Sequence, residues 1–156
     1  MRLAYAYKLL EEALKKSACL NKMLPAGADP ADHIVWPEHQ WDCDPDGCPI
    51  IPDTWVGIEI QDGSTRDKLT GTSEVEVAFW VFFKPKDCDA RERTCQLLEC
   101  ADCFECEICA LIQGLSPGRL VSSITYDQTG FAEPDQAGLP AQDSRRDFFR
   151  IILTIT

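Results

Sequence analysis

A chain of 156 residues with 45% hydrophobic and 26% charged side chains has the size and apolar content of one globular domain, not of a disordered segment. Its formal charge of −11, from 15 basic and 26 acidic side chains, excludes ordinary nucleic-acid binding, which needs Lys and Arg clustered against phosphates. No stretch approaches the ~20 apolar residues that span a bilayer, and Met1 to Lys8 lacks the apolar centre of a secretory signal, so neither membrane insertion nor export is expected.

Taken in chain order, the first element is an amphipathic helix. Leu3, Ala6, Tyr7, Leu10, Ala13, Leu14 and Ala18 recur at helical spacing, with Lys8, Glu11, Glu12, Lys15 and Lys16 on the other side. The pattern predicts a helix from Leu3 to about Ala18 that ends near Asn21 to Leu24, ahead of Pro25 and Gly27. Residues 25–52 then read as an irregular insertion punctuated by Pro30, Pro37, Pro45, Pro49 and Pro52, with at most a short extended piece at His33-Ile34-Val35-Trp36. Inside it, Cys43-Asp44-Pro45-Asp46-Gly47-Cys48 is a tight reversal with a cysteine at each end, which predicts a local disulfide between Cys43 and Cys48 once the protein is in an oxidising environment. A calcium loop on Asp42, Asp44 and Asp46 is the rival reading, but the glycine and terminal glutamate of an EF-hand do not follow.

Thr54 to Ile60 reads as a strand, Gln61 to Gly71 as a polar loop, and Glu74 to Phe83 as a second, stronger strand. In the latter, Val75, Val77, Phe79, Val81 and Phe83 form one face and belong in the core. Ala78, Trp80 and Phe82 make the other face apolar as well. Such a strand belongs in a sheet covered on both sides, or against another subunit. A helix from Asp89 to Gln113 with room for one break follows, then strands at Arg119 to Tyr126 and Asp147 to Thr156, separated by a Gly-, Pro-, Asp- and Gln-rich connection from Asp127 to Ser144. The last strand is expected to run to Thr156, so that segment is expected to have a structural role. The order describes an α+β domain over residues 1–156, a mostly antiparallel sheet packed by an N-terminal and a central helix.

Six of the nine cysteines fall between residues 88 and 109. Cys100, Cys103, Cys106 and Cys109 are spaced C-x2-C-x2-C-x2-C, close to the ferredoxin-type run, but the last gap is one residue short and Ala110 stands where a proline would be. On a helix each step of three residues rotates about 300°, so the four thiols form a drifting stripe, not a cage. Small packed side chains or disulfide halves are the favoured reading, with a metal site on these four residues and catalytic thiols as alternatives. Cys88 and Cys95 join Cys43 and Cys48 as disulfide candidates, and the odd total leaves at least one thiol unbridged within a single chain. The only histidines, His33 and His39, stand in no nucleophile signature, so neither enzymatic activity nor a cofactor is expected.

The order of helix, strand pair, return helix and closing strands, with Val56-Gly57-Ile58-Glu59-Ile60 followed by Glu74-Val75-Glu76-Val77-Ala78-Phe79-Trp80-Val81-Phe82-Phe83, resembles the tail terminator family of long-tailed bacteriophages and related tail-completion and neck proteins. The resemblance implies a structural virion protein: a hexameric ring that caps the tail tube and joins it to the head connector. Its partners would be copies of itself, the tube, the sheath where a tail has one, and the head–tail connector. DNA would be only passing cargo, and no membrane would be involved. The place implied is the tail or neck of a virion assembled in the host cytoplasm. Trp80, Phe82, Phe148, Arg150 and Ile152 then become subunit-interface candidates, because a closed ring needs complementary surfaces and a sheet with bare edges aggregates. Asp62, Asp67, Glu74 and Glu76 would line the channel. Thiols reduced during synthesis could oxidise in the particle and join neighbours. Another neck, connector or collar subunit is the alternative within this class; outside it stands a cysteine-ligated iron–sulfur or zinc protein.

Overall fold

In the computed structural model, the described residues are 3–60, 64–66, 73–84, 89–118, 121–132 and 146–156. Helix α1 (Leu3–Lys15) turns Ala6, Tyr7, Leu10, Ala13 and Leu14 inward, as its spacing requires. It is shorter than its apolar pattern predicts because Ser17 adopts an extended backbone and accepts a hydrogen bond from Leu20 N, starting a separate helix α2 (Ala18–Met23). A serine that can bond nearby backbone favours a cap over a helix interior.

After one 3₁₀ turn at Pro30–His33, the strands and the long helix follow: β1 (Ile34–Val35), β2 (Trp55–Glu59), β3 (Ser64–Arg66), β4 (Ser73–Phe83), α3 (Ala90–Leu115), β5 (Val121–Ala132) and β6 (Arg146–Ile155). The sheet order is β1-β2-β4-β6-β5, with β3 also paired to β4. Only β1 and β2 run parallel. The fold is α+β with a mostly antiparallel sheet, as the element order predicts. Two boundaries differ. Strand β3 lies inside the expected polar loop, and β5 runs on to Ala132 through Asp127-Gln128-Thr129-Gly130. These residues look like a turn, but β5 is an edge strand that takes its hydrogen bonds from β6 with two register shifts, and an edge tolerates polar and glycine positions that a central strand does not.

Strand alternation divides the sheet into two unlike faces. Val56 and Ile58 of β2, Val75 through Phe83 at odd positions of β4, and Phe149, Ile151, Leu153 and Ile155 of β6 join one buried cluster with α1 and α3. Helix α3 contributes Leu97, Ala101, Phe104, Ile108 and Ile112, a four-and-three spacing that keeps one stripe on the sheet for 26 residues without a break. Phe104 sits between Phe79 and Phe149, with ring centroids at 6.2 and 5.7 Å. At the start of α3, Asp89 accepts from Glu92 N at 2.8 Å, and one turn on, the buried Arg93 guanidinium grips both carboxylate oxygens of the buried Asp147 in β6.

The short helix α2 is fixed to α3 by a covalent bond and a polar one. Cys19 and Cys103 form a disulfide across a sequence separation of 84. Glu107, one turn beyond Cys103, accepts from Ser17 Oγ at 2.8 Å, from Cys19 N at 3.0 Å and from Ala18 N, so a carboxylate of α3 satisfies the first amides of α2. In the chain-entropy picture, closing a loop of 84 residues corresponds to on the order of 4–5 kcal/mol. Reduction should therefore lower the urea midpoint by several times as much as Glu107→Ala, which should cost about 1 kcal/mol. Equal midpoints for oxidised and reduced protein would show that the bridge adds nothing.

Candidate functional site

The second face of the sheet is set out by the pairing of β2, β4 and β6. Trp55, Phe82 and Phe148 stand in one row, Gly57, Trp80 and Arg150 in the next, and Glu59, Ala78 and Ile152 in the third. In the first row the Trp55 and Phe82 rings stack at 4.2 Å with an interplanar angle of 11°, and Phe148 lies 5.8 Å from Phe82. A Cβ at Gly57 would come within 3.0 Å of the Trp55 ring, so the missing side chain lets that ring lie along its own strand.

The middle of this face is polar and tied together. Glu59 Oε2 accepts from Arg150 Nε at 2.6 Å and from Trp80 Nε1 at 2.7 Å, while the Arg150 guanidinium stands 5.6 Å from the Trp80 ring centroid. One carboxylate thus links β2 to β6 across β4. Arg150 is buried, and a buried guanidinium persists only where such a partner exists.

The proline-rich insertion supplies the remaining wall. Trp36 lies against Tyr7 with centroids at 6.1 Å, and its indole N–H is held by the Glu11 carboxylate. Trp41 packs edge-on to Trp55 at 5.6 Å, and His39 edge-on to Trp41 at 4.5 Å. All four tryptophans of the chain consequently line one groove of about 820 Å³, with Glu38 and His39 at its lip. An apolar concavity with a few convergent polar groups is the usual form of a binding site. Sequence reading singled out Trp80, Phe82 and Phe148 but not Trp36, Trp41 or Glu59. Four tryptophans in so acidic a chain were the available signal.

Of the interface candidates, Trp80, Phe82, Phe148 and Ile152 are half-buried on this face, whereas Arg150 is consumed by Glu59. Glu74 and Glu76 are exposed at the far end of the same face of β4; Asp62 and Asp67 lie outside the described residues. The cysteines fall differently from expectation. The turn at Asp44 forms, with Asp44 Oδ1 accepting from Asp46 N and Cys48 N at 2.9 Å and Gly47 at φ +82°, yet Cys43 and Cys48 are exposed free thiols. The carboxylate closes this turn where a disulfide was predicted. Cys95 is likewise an exposed thiol, and Cys88 lies outside the described residues.

Along α3 the stripe drifts as helix geometry dictates. Cys100 and Cys109 are half-buried, Cys106 faces solvent, and Cys103 is bonded to Cys19, a partner that the local spacing does not reveal. The four-cysteine metal site is therefore not assembled. Among the described residues, the one close group of ligating atoms is Cys19, Cys103 and Glu107, within 4.8 Å of one another. Its two sulfurs are joined and its carboxylate is engaged by α2, so this group is a clamp. Burial pushes the Cys109 thiol up, with Glu105 and Cys106 adding to the effect, which suppresses the thiolate that a ligand or nucleophile must supply. No helix among the described residues is long and apolar enough to cross a membrane.

The chain matches no family model and no curated protein. Two outcomes test the geometry. Glu59→Ala should destabilise the fold by about 2–4 kcal/mol, and a cycle with Arg150→Ala should give a coupling of about 1 kcal/mol or more; additive effects would mean that the pair is not formed. Cys109 should alkylate slowly until the pH exceeds the ordinary thiol range. Its contribution to stability should be full below the unfolded thiol pKa and be lost as pH rises through the raised folded value. Peptide mapping after timed alkylation checks the first behaviour, and denaturation at stepped pH the second.

Proposed function

We propose that this chain is a structural subunit of the tail-terminator type, closing into a hexameric ring that caps the tail tube of a long-tailed phage and meets the head connector. The observation that carries the reading is the half-buried apolar surface on the second sheet face, where Trp80, Phe82, Phe148 and Ile152 lie opposite the helical layer. A core already complete on the first face has no need of that surface, and covering what remains exposed of these half-buried side chains is worth roughly 25 cal/mol per Å² of apolar area. A neighbouring subunit is the natural cover in a closed cyclic assembly. The element order of the resemblance supports the placement in a tail, and the exposed Glu74 and Glu76 suit a lumen from which DNA is repelled as it passes.

Light scattering behind a sizing column, with negative-stain images, provides the test. The wild type should be a closed ring, and Ile152→Asp should be a folded monomer by circular dichroism. Phe79, fully buried, gives the contrasting control, since Phe79→Asp should prevent folding altogether. A wild type that remains monomeric at high concentration would overturn the ring, and an Ile152→Asp protein that still assembles would place the interface elsewhere.

A further inference from the structure

We propose that the tryptophan-lined groove is a receptor for an arginine side chain presented by a segment of a partner protein. The residues at its lip form a tight turn. His39 N donates to Trp36 O at 3.2 Å, Pro37 occupies the second position, and Glu38 in the third has φ +65°, the one non-glycine residue with positive φ among those described. That position of a type II turn belongs to glycine or asparagine, and a glutamate there carries a backbone strain of roughly 1 kcal/mol. A strained residue at the edge of a cavity points to a role for its side chain. The Glu38 carboxylate is exposed and makes no hydrogen bond or ion pair with any described residue.

Two residues lining the same groove, Trp80 and Glu59, already share one guanidinium: Arg150, which is not itself in the lining, stands 5.6 Å from the Trp80 ring centroid and donates to Glu59 at 2.6 Å. Trp36, Glu38 and Trp41 all line the groove, so two more indoles and an exposed carboxylate border the same cavity. Indole faces attract cations, and a planar guanidinium both stacks on them and pairs with a carboxylate through a fork of donors that an ammonium lacks. The occupant is therefore a basic segment with arginine at its tip, and the overall charge of −11 favours its approach.

The groove shares Trp80, Phe82 and Phe148 with the surface assigned to the ring contact, and the following experiment separates the two readings. The indole N–H resonances of the full chain, all four from groove residues, are followed by NMR during addition of acetyl-Gly-Arg-Gly-amide, with the citrulline and lysine peptides as comparisons. The wild type and the Ile152→Asp protein are titrated in parallel, so that a groove covered by a neighbour in a ring is still read in the variant. In at least one of them the arginine peptide should give saturable, salt-sensitive shifts, the citrulline peptide none, and the lysine peptide weaker ones. Glu38→Gly should weaken binding by about five-fold or more, while retaining the fold and raising the thermal midpoint because the strained position is relieved. Absence of shifts in both proteins, an equal response to citrulline or lysine, unchanged affinity in Glu38→Gly, or unfolding of that variant would each overturn the proposal.

Discussion

Strands β4 and β6 are locked in register from Val75↔Ile155 to Phe83↔Asp147, and the contents of both sheet faces depend on which side of that ladder a residue falls. Side chains alternate with a period of two, so a slip of β6 by one residue against β4 would expel Phe149 and Ile151 from beneath the helices and drive Phe148 and Arg150 into their place. The penalty for that exchange fixes the register without a tight turn between the strands. It also fixes the grid on the second face, because Glu59 meets Arg150 only when β2, β4 and β6 are all aligned. Core and groove are two readings of one alignment.

The helical layer is located by a different kind of constraint. Apolar burial tells α3 which stripe faces the sheet, but oil-like contacts tolerate sliding along the helix axis. Two polar contacts remove that freedom. Arg93 grips Asp147 near the start of the helix, and Glu107 holds the beginning of α2 further along. Both are charge-assisted and directional, so a shift of α3 by one residue would leave buried charges without partners. Cys19–Cys103 then makes the α2 contact permanent.

Much of this was legible in the sequence where period and burial coincide. The double-sided apolar character of Trp80 and Phe82 marked β4 as central, and the glycine-free run through the cysteines marked a helix, although its freedom from a break shows only in the stripe of Leu97, Ala101, Phe104 and Ile108 against the sheet. What escaped detection depends on residues far apart in the chain. Cys19 looks like the end of an amphipathic helix until Ser17 is seen as a cap, and Glu107 looks like a solvent-facing acid until α2 is placed beside it. The groove escaped for the same reason. Trp36 and Trp41 lie in a segment without period, and their relation to Trp55 arises only when the insertion folds back on β2. Local rules also favoured a bridge at Cys43 and Cys48, where a single aspartate carboxylate organises the turn.

The bridge between Cys19 and Cys103 also divides the chain mechanically. Residues 20–102, carrying β1 through β4, form a closed covalent loop, while α1 lies before it and β5 and β6 lie after it. Tension applied at the two ends would pass from α1 through the sulfur–sulfur bond into α3 and on to the closing strands, bypassing the loop. Under such tension β6 could be peeled from β4, but the contour length of the loop would stay unavailable for extension. A pulled molecule would lengthen by its terminal segments alone, leaving the looped portion, which carries all four tryptophans, closed on itself.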